Sequence, residues 1–472
     1  MSAELGRGVP VVTRARTLAV GTLALLNVFA VVAALAVVKL TPARHLSPQP
    51  PSVAAHDAVP TSGGLKAADP LAARSPSPST LAARLSAVLN QPGPRINAAV
   101  IDAATRQPLF AQRADRAATP ASTTKLATSV AALAALGPQH RITTRTVRGA
   151  DGGVVLVGGG DTTLTAQPQK PGTGRPTYAS LADLAKQTAG ALTRAGVRQV
   201  RVDYDASAYQ GSRVAPGWKR NYIPDGEVAP MTALTVDEGR VGGPGAHAQP
   251  RVPDPPVAAV QTFARLLKRF GVSAKAGRRA TAAAGAQKLG AVQSPPISAL
   301  IEHAMTESDN DVAEAMARQV AMKKGLPASF EGGARAVRET LAGLGITDGV
   351  DVSDGSGLST RNRITPLALA RIAALAASPQ RPDLRAAITG MPVAGFTGTL
   401  SPPRYTTPGS TGGAGVIRAK TGTLSGVNTL AGLATDADGR LLAFAFMAGD
   451  GKTSVDPGKL DQLATILAGC GC

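Results

Sequence analysis

The spacing of apolar and polar residues divides the chain into segments, and the first of these is a long apolar run. Residues 18–38 carry no charge, and about 20 apolar residues are enough for a helix to cross a bilayer. Arg7, Arg14 and Arg16 precede the run, which favours a cytoplasmic N-terminus over residues 1–17. We therefore expect residues 18–38 to be a single-pass signal anchor in the cell membrane, with the rest of the chain on the extracytoplasmic side. A cleaved signal peptide, and so a secreted protein, is the alternative.

A spacer and four predicted elements follow the apolar run. Residues 39–80 are rich in proline, alanine and serine and show neither a helical nor an alternating period, as expected of an extended linker. An amphipathic helix pattern starts near Thr80, and two strand patterns, INAAVID and PLFAQR, come after it. Pro120 and Ser122 provide start signals and Gly137-Pro138 provides a stop, so residues 121–136 are predicted to form one helix.

The pattern changes between residues 141 and 292, where short strand runs, two amphipathic helix patterns and long loops rich in glycine and proline alternate. We expect this stretch to be an accessory domain, inserted into a domain made of residues 81–140 and 293–472. After residue 293 helix patterns dominate, until the strand-like runs GVIRAKTGT, LAGLAT and LLAFAFMAG and a last helix pattern. Two strands before the insert and three after it predict a five-stranded antiparallel sheet flanked by helices, an α/β (α+β) architecture.

The net charge limits the partners and the cellular location expected for the chain. Lysine and arginine total 50 against 31 acidic residues, a formal net charge of +19, which suits nucleic acid, anionic lipid or an anionic cell wall. The basic clusters have no interleaved aromatic residues and no nucleic-acid-binding motif; one of them contains Lys268, Arg269, Lys275, Arg278 and Arg279. Together with the predicted anchor, this favours exposure at the cell envelope, and we predict no nucleic-acid partner.

The two cysteines, Cys470 and Cys472, lie in the terminal sequence GCGC. A disulfide between residues so close together would close a small, strained ring, so we expect no structural disulfide in the folded core. Free thiols and an intermolecular bridge both remain open, and this pair alone cannot form a zinc site.

A candidate nucleophile lies at the start of the predicted helix 121–136. Ser122 and Lys125 are three residues apart, so a helix places them on one face. A serine hydroxyl becomes a good nucleophile when a neighbouring base takes its proton, and a buried lysine can be that base once its pKa is lowered. Taken alone, the pair favours an ordinary polar first turn, because Ser-x-x-Lys is common by chance.

Two further motifs favour the catalytic interpretation of Ser122 and Lys125. Ser-x-x-Lys, Ser-x-Asn (Ser308 and Asn310) and Lys-Thr-Gly (Lys420 to Gly422) each occur once, in that order, which is the order known for β-lactamases and penicillin-binding proteins. Ser308 and Asn310 fall in a polar break between two helix patterns, where either could instead cap a helix. Lys420 ends a strand-like run and could instead be a solvated cation.

The three motifs together resemble those of penicillin-binding D-alanyl-D-alanine carboxypeptidases, in the low-molecular-mass subgroup with a large insertion between the first two motifs. Between Lys125 and Ser308 there are 182 residues, more than a compact β-lactamase accommodates. The stretches TPASTTKLATSVAALAALG, VGGGDTTL, PGW and DGSGLSTRNRITP are also similar, and the likeness covers residues from about 80 to 468. The resemblance implies a β-lactamase/transpeptidase-like fold with an inserted accessory domain. The sequence departs from the family pattern at GGGDTTL, because family members more often have proline after the aspartate.

The chemistry and the resemblance together assign the catalytic residues. Ser122 would attack the carbonyl between two D-alanines, Lys125 would act as the base, and Ser308 would relay a proton to the leaving amine. The backbone N–H groups of Ser122 and Thr423 would form the oxyanion hole.

The same resemblance implies five substrate-binding residues. Asn310 would bond the amide of the donor peptide, Lys420 would supply positive potential, and the hydroxyls of Thr421 and Thr423 would face the terminal carboxylate. Gly422 lets the substrate backbone approach closely. Asp354 and Ser356, in DGSGLS, are expected to shape the cleft without a catalytic role.

The predicted function is therefore that of a serine-type D-Ala-D-Ala carboxypeptidase or endopeptidase. Its substrates would be peptidoglycan stem peptides, β-lactams would acylate Ser122, and no cofactor or metal is predicted. Two alternatives stay open, namely a catalytically silent wall-binding scaffold and a β-lactamase or esterase of the same fold. Other hydrolase and nucleotide-binding motifs (G-x-S-x-G, H-E-x-x-H and a Walker loop) are absent from the sequence, and we assign no role to the five scattered histidines.

Overall fold

The computed structural model describes residues 73–169, 176–242, 249–449, 451–453 and 456–471. The predicted signal anchor at residues 18–38 and most of the predicted spacer lie outside these ranges. Within them, no helix is both long and apolar enough to cross a membrane. The last residues of the predicted spacer belong to the fold, because helix α1 (Pro78–Leu89) begins there and Ser75 Oγ donates a hydrogen bond to Asp102 Oδ2 at 3.0 Å.

The main sheet joins the two ends of the described chain. Strands β1 (Ile96–Asp102) and β2 (Pro108–Gln112) lie beside three strands from the C-terminal part, β10 (Ile417–Leu424), β11 (Val427–Thr435) and β12 (Leu441–Gly449). The order across the sheet is β10-β11-β12-β1-β2, and every neighbouring pair is antiparallel. This confirms the predicted five-stranded antiparallel sheet. The Lys-Thr-Gly motif lies inside β10 and not at its end.

The sequence of β12 explains why this strand is central. LLAFAFMAG is almost uninterruptedly apolar, as expected of a strand with both faces buried. Phe444 and Phe446 join the core formed with α1 and with helix α10 (Pro457–Ala468), whereas Ala443 and Ala445 join the core on the opposite face. Helices therefore cover both faces of the sheet.

Helix α2 (Thr124–Leu136) is the centre of the layer on that opposite face. Every residue from Thr124 to Leu133 is buried, because other helices pack around it. A 3₁₀ turn, Ala121–Thr123, leads directly into α2. The surrounding elements are α5 (Ile297–Thr306), α6 (Asn310–Lys323), α7 (Phe330–Gly343), α8 (Pro366–Ala376) and the short α9 (Ala386–Thr389), with a two-stranded ribbon of β8 (Val350–Asp351) and β9 (Arg363–Ile364).

A second five-stranded sheet forms between the first and second motifs. It contains β3 (Thr143–Arg148), β4 (Val154–Val157), β5 (Gln199–Asp205), β6 (Ser273–Arg279) and β7 (Lys288–Gln293). The order is β6-β5-β4-β3-β7, in which the two pairs made by β5 are parallel and the others antiparallel. Helices α3 (Leu181–Arg194) and α4 (Pro255–Arg269) bury their apolar faces against it and form a separate core. The boundaries 141–292 of an accessory domain stay a prediction.

The C-terminal cysteine differs from its prediction. Cys470 is buried in the core beneath α1 and α10 and is disulfide-bonded. The only other cysteine, Cys472, lies outside the described residues. The expectation of no structural disulfide in the folded core was wrong, because ring strain was the only factor that it considered.

Candidate active site

The candidate nucleophile lies at a sharp turn before α2. Ala121 has a φ of +48°, a conformation that is uncommon for a residue with a side chain. The turn places Ser122 at the edge of the buried helix, half-buried itself, with Lys125 one turn further on. Lys125 Nζ lies 3.1 Å from Ser122 Oγ. The structure therefore brings the first predicted pair into hydrogen-bond contact.

The amine of Lys125 has three hydrogen-bonding neighbours in the described structure, and they fix the direction of proton transfer. Besides Ser122 Oγ, Nζ contacts Asn310 Oδ1 at 2.7 Å and the carbonyl oxygen of Ser356 at 2.8 Å. Asn310 Nδ2 donates to the carbonyl of Glu227 at 2.9 Å, so Oδ1 must face the lysine. Two of the three neighbours can therefore only accept hydrogen bonds. Once Lys125 is neutral, only the Ser122 hydroxyl can donate to its lone pair.

Burial makes this lysine a usable base. Lys125 is fully buried, and desolvation lowers its pKa from 10.5 to about 8. The carboxylates of Asp354, Asp309, Glu314 and Asp311 oppose this change by favouring the ammonium form. Among the described residues Nζ contacts only neutral groups and forms no ion pair, so desolvation dominates.

The second motif lies where α6 begins. Asp309 is the residue that caps the helix, through its side chain and the N–H of Val312 at 3.0 Å, so neither Ser308 nor Asn310 has the capping role considered as an alternative. Ser308 adopts a left-handed conformation with a φ of +61° and is half-buried. Among the described residues its hydroxyl makes no hydrogen bond to Ser122 or Lys125. The motif thus reaches the lysine through Asn310.

The third motif runs along the other side of the nucleophile. A Cβ placed on Gly422 would lie 2.7 Å from the carbonyl oxygen of Pro120 and 3.0 Å from the nitrogen of Ser122, so only glycine fits there. Lys420 is fully buried and is not the solvated cation considered as an alternative. Burial and the nearby charge of Lys125 hold the pKa of Lys420 well below its usual value, and its Nζ contacts the carbonyl oxygen of Thr421 at 3.0 Å.

The two threonines of this motif differ in their surroundings. Thr421 is buried, and its hydroxyl pairs with that of Thr399 at 2.7 Å. Thr423 is exposed, and its hydroxyl donates to Asn428 Oδ1 at 2.8 Å. A substrate carboxylate can thus reach Thr423 more directly than Thr421.

Comparison with known proteins places this geometry in one family. The model of the D-Ala-D-Ala carboxypeptidase 3 (S13) family matches residues 81–248 and 243–469. The chain belongs to this family. Carboxypeptidase DacB of Mycolicibacterium smegmatis is 38% identical over 97% of this chain and 98% of its own length, and a carboxypeptidase of Mycobacterium tuberculosis is 37% identical over 90% and 89%. Both the family and the enzyme class predicted from the motifs are confirmed.

A solved structure shows the same fold. Penicillin-binding protein 4 (dacB) from Haemophilus influenzae superposes with a TM-score of 0.64 at 22% identity, covering 82% of this chain and 97% of its own. The S13 carboxypeptidase therefore has the predicted β-lactamase/transpeptidase-like fold, and the two halves of its catalytic sheet are separated in sequence by the second sheet.

Sequence reasoning named the DGSGLS loop only as part of the cleft, and the structure shows what it does. Glu314, on α6, is buried and accepts hydrogen bonds from the N–H groups of Gly355 and Ser356 at 3.1 and 2.9 Å. Asp354 accepts from the N–H of Gly357 at 2.9 Å and from Trp218 Nε1 at 2.8 Å. These bonds hold the Ser356 carbonyl on the lysine. The run of small residues around one aspartate was the signal that pointed to this loop. Nothing in the sequence pointed to Glu314, which holds the loop in place.

The inserted residues also support the site. Arg251, from the second-sheet region, forms an ion pair with Asp311 at 3.0 Å, and their side chains are only 2% and 3% exposed. Asp311 Oδ1 also accepts from the N–H of Ala229 at 2.8 Å. With the bond between Asn310 and Glu227, these contacts fix the start of α6 against the insert. No motif pointed to Arg251, because its partner is distant in sequence.

Proposed function

We propose that this S13 carboxypeptidase is an exported, membrane-anchored enzyme that cleaves peptidoglycan stem peptides ending in D-Ala-D-Ala through an acyl-enzyme on Ser122. The observation that carries the proposal is the contact between Ser122 and a fully buried lysine whose pKa is lowered to about 8. A base with this pKa is partly neutral at physiological pH.

In the proposed acylation, Ser122 Oγ attacks the carbonyl carbon and its proton passes to neutral Lys125 Nζ. Backbone N–H groups of Ser122 and Thr423 stabilise the oxyanion. Collapse of the tetrahedral intermediate breaks the C–N bond, and the departing D-alanine nitrogen takes the proton held by Lys125, relayed by Ser308. This relay requires the Ser308 hydroxyl to come into contact with Lys125 when substrate is bound. Water then hydrolyses the acyl-enzyme and restores the Ser122 hydroxyl.

The substrate contacts are proposed for the remaining motif residues. Thr423, with Thr421 and Gly422, receives the terminal carboxylate along β10. Burial lowers the pKa of Lys420, so this residue supplies positive potential once the bound carboxylate favours its protonated form. Both polar atoms of the Asn310 side chain are already engaged, with Lys125 and with Glu227. To bond the peptide amide, Asn310 must therefore give up its hydrogen bond to Glu227. The contact between Asn310 and Lys125 supports a second role for Asn310, which is to position the lysine.

The proposed location and inhibitor follow from separate observations. The uncharged run at residues 18–38 supports a membrane anchor with an extracytoplasmic catalytic domain. A structure of the Haemophilus influenzae protein contains a β-lactam, which supports acylation of Ser122 by this inhibitor class. Cleavage of D-alanine cross-links, an endopeptidase activity, belongs to the same proposal because the scissile bond is chemically the same.

Mass spectrometry of the purified full chain after exposure to benzylpenicillin tests the chemistry. A stable adduct on the peptide containing Ser122, absent from the Ser122→Ala variant, is expected, together with D-alanine release from a stem pentapeptide. An adduct with cleavage only of cross-linked dimers would identify an endopeptidase. No adduct would refute the acyl-enzyme and leave the silent scaffold, and rapid turnover of penicillin would indicate a β-lactamase.

Membrane fractionation tests the location. The full chain is expected to stay with membranes washed at high salt, and a variant lacking residues 1–38 is expected to leave them. Salt-extractable full-length protein would contradict the anchor.

A further inference from the structure

A cavity of about 540 Å³ opens at one end of the main sheet, beside the candidate active site. Its wall includes Leu424, which directly follows Thr423, and Thr119, three residues before Ser122. Lys219 reaches it from the insert, next to the tryptophan that bonds Asp354. A ligand in this cavity would therefore lie alongside the reacting bond without occupying the Ser122 contact itself.

The charged side chains that the structure describes along this cavity are all positive. Among the described residues, five cations and no carboxylate line it; we call these five, Arg95, Arg113, Arg116, Lys219 and Arg363, the cationic groove. In the described part of the chain, none of the five forms an ion pair. Exposed arginines elsewhere do find acids, as Arg335 does with Glu339 at 2.6 Å. Five like charges that share one concave surface, with no acidic partner in the described ranges, create a local positive potential that favours an anionic ligand.

Three of these cations are held in place by neutral groups. Arg113 donates to Asn97 Oδ1 and to the carbonyl of Ile96, both at 2.8 Å. Arg363 Nη1 donates to Thr119 Oγ1 at 3.0 Å, and Lys219 donates to Ser425 Oγ at 2.7 Å. Such bonds orient a cation but leave its charge uncompensated. The groove is thus partly preorganised, which lowers the entropy that binding would cost.

The number and nature of the lining residues select the ligand class. A single carboxylate would satisfy one or two of the five cations, whereas a repeating anion can contact all of them. In the part of the chain that the structure describes, no aromatic side chain lines the cavity, and stacking on aromatic residues is the usual way to hold bases of a single-stranded nucleic acid. We propose that the cationic groove binds a polyanionic wall polymer with repeating phosphate or carboxylate groups, alongside the active site. The proposal rests on the proposed extracytoplasmic location but not on the catalytic roles.

The test measures binding of poly(glycerol phosphate) to the detergent-solubilised full chain by calorimetry at several salt concentrations. The test variant is Arg95→Gln/Arg116→Gln, since neither side chain makes a hydrogen bond to the described residues. The matched control is Lys268→Gln/Arg269→Gln, two exposed cations on α4, which removes the same net charge elsewhere. Melting temperatures report whether each variant remains folded.

We expect the dissociation constant of the test variant to rise about tenfold. The slope of its log affinity against log salt concentration should become shallower by about two, and the control should change little. Polygalacturonate, a polymer with repeating carboxylates, tests which anionic group is recognised. Binding equal to that of poly(glycerol phosphate) identifies repeated charge as the feature recognised, and weaker binding identifies phosphate. Equal losses in the two variants would overturn the groove as a site, as would tighter binding of oligo(dT) than of the wall polymer. Benzylpenicillin adduct formation is scored separately, so a failed groove and a failed acyl-enzyme give different results.

Discussion

Lowering the pH should switch off acylation of Ser122 by protonating Lys125. The active form of this lysine is the neutral one, and burial lowers its pKa from 10.5 to about 8. Its activity is therefore fully developed above pH 9 and is lost as the pH falls through about 8.

The size of the effect follows from that pKa. At pH 7 about one tenth of the lysine is neutral, against about three in ten thousand for a lysine of ordinary pKa, so burial raises the supply of free base about 300-fold. Between pH 8 and pH 6 the neutral fraction falls from about one half to about one hundredth. The acylation rate constant should fall about 50-fold over this interval.

The assay is the second-order rate constant of benzylpenicillin acylation, measured by mass spectrometry of quenched samples between pH 6 and pH 9.5. The matched control is Lys125→Arg. This variant should not react, because its guanidinium stays charged throughout the range. Fluorescence of the single tryptophan, Trp218, checks that the protein stays folded at each pH.

A fall of less than about fivefold between pH 8 and pH 6 would refute Lys125 as the proton acceptor with this pKa. A second titrating group has to be separated from it, because burial also raises the pKa of Glu314 to about 7. A transition near pH 7 that disappears in Glu314→Gln would assign the pH dependence to the carboxylate that holds the DGSGLS loop.

Three further changes test the geometry around the lysine. Gly422→Ala places a Cβ 2.7 Å from the Pro120 carbonyl and 3.0 Å from the Ser122 nitrogen, so displacement of the turn should slow acylation about 100-fold, as measured by the penicillin assay. Asn310→Asp places a carboxylate 2.7 Å from Lys125 Nζ, which raises the lysine pKa and should move the pH profile to higher pH. Arg251→Met leaves Asp311 buried without its cation and should lower the free energy of unfolding in urea by about 3–5 kcal/mol.

Each change has a control. Gly412→Ala, where a Cβ would lie 3.5 Å from Thr465 Cγ2, should acylate normally; equal losses in the two glycine variants would remove the steric explanation. An unshifted profile in Asn310→Asp would mean that residue 310 does not set the lysine pKa. The double variant Arg251→Met/Asp311→Leu should recover much of the stability, and failure to recover it would point to lost packing instead of an unpaired charge.

The sequence alone determined the features that depend on neighbouring residues. Ser122 and Lys125 meet because three residues make about one helical turn, and the apolar run LLAFAFMAG forms a strand of the main sheet, as its pattern predicts. The order and uniqueness of the three motifs identified the family, and its members share a fold. These inferences held because local backbone geometry and burial of apolar surface act on short stretches of chain.

Only the tertiary structure decided which distant groups complete the site. Lys125 meets Asn310 across 185 positions and the Ser356 carbonyl across 231, and no local period encodes either distance. The same holds for Glu314 and Arg251, and for the cationic groove, whose five cations come from separate segments of the chain. Such contacts depend on how elements pack, since the energy that joins two elements is spread over many side chains and is not written in any single stretch.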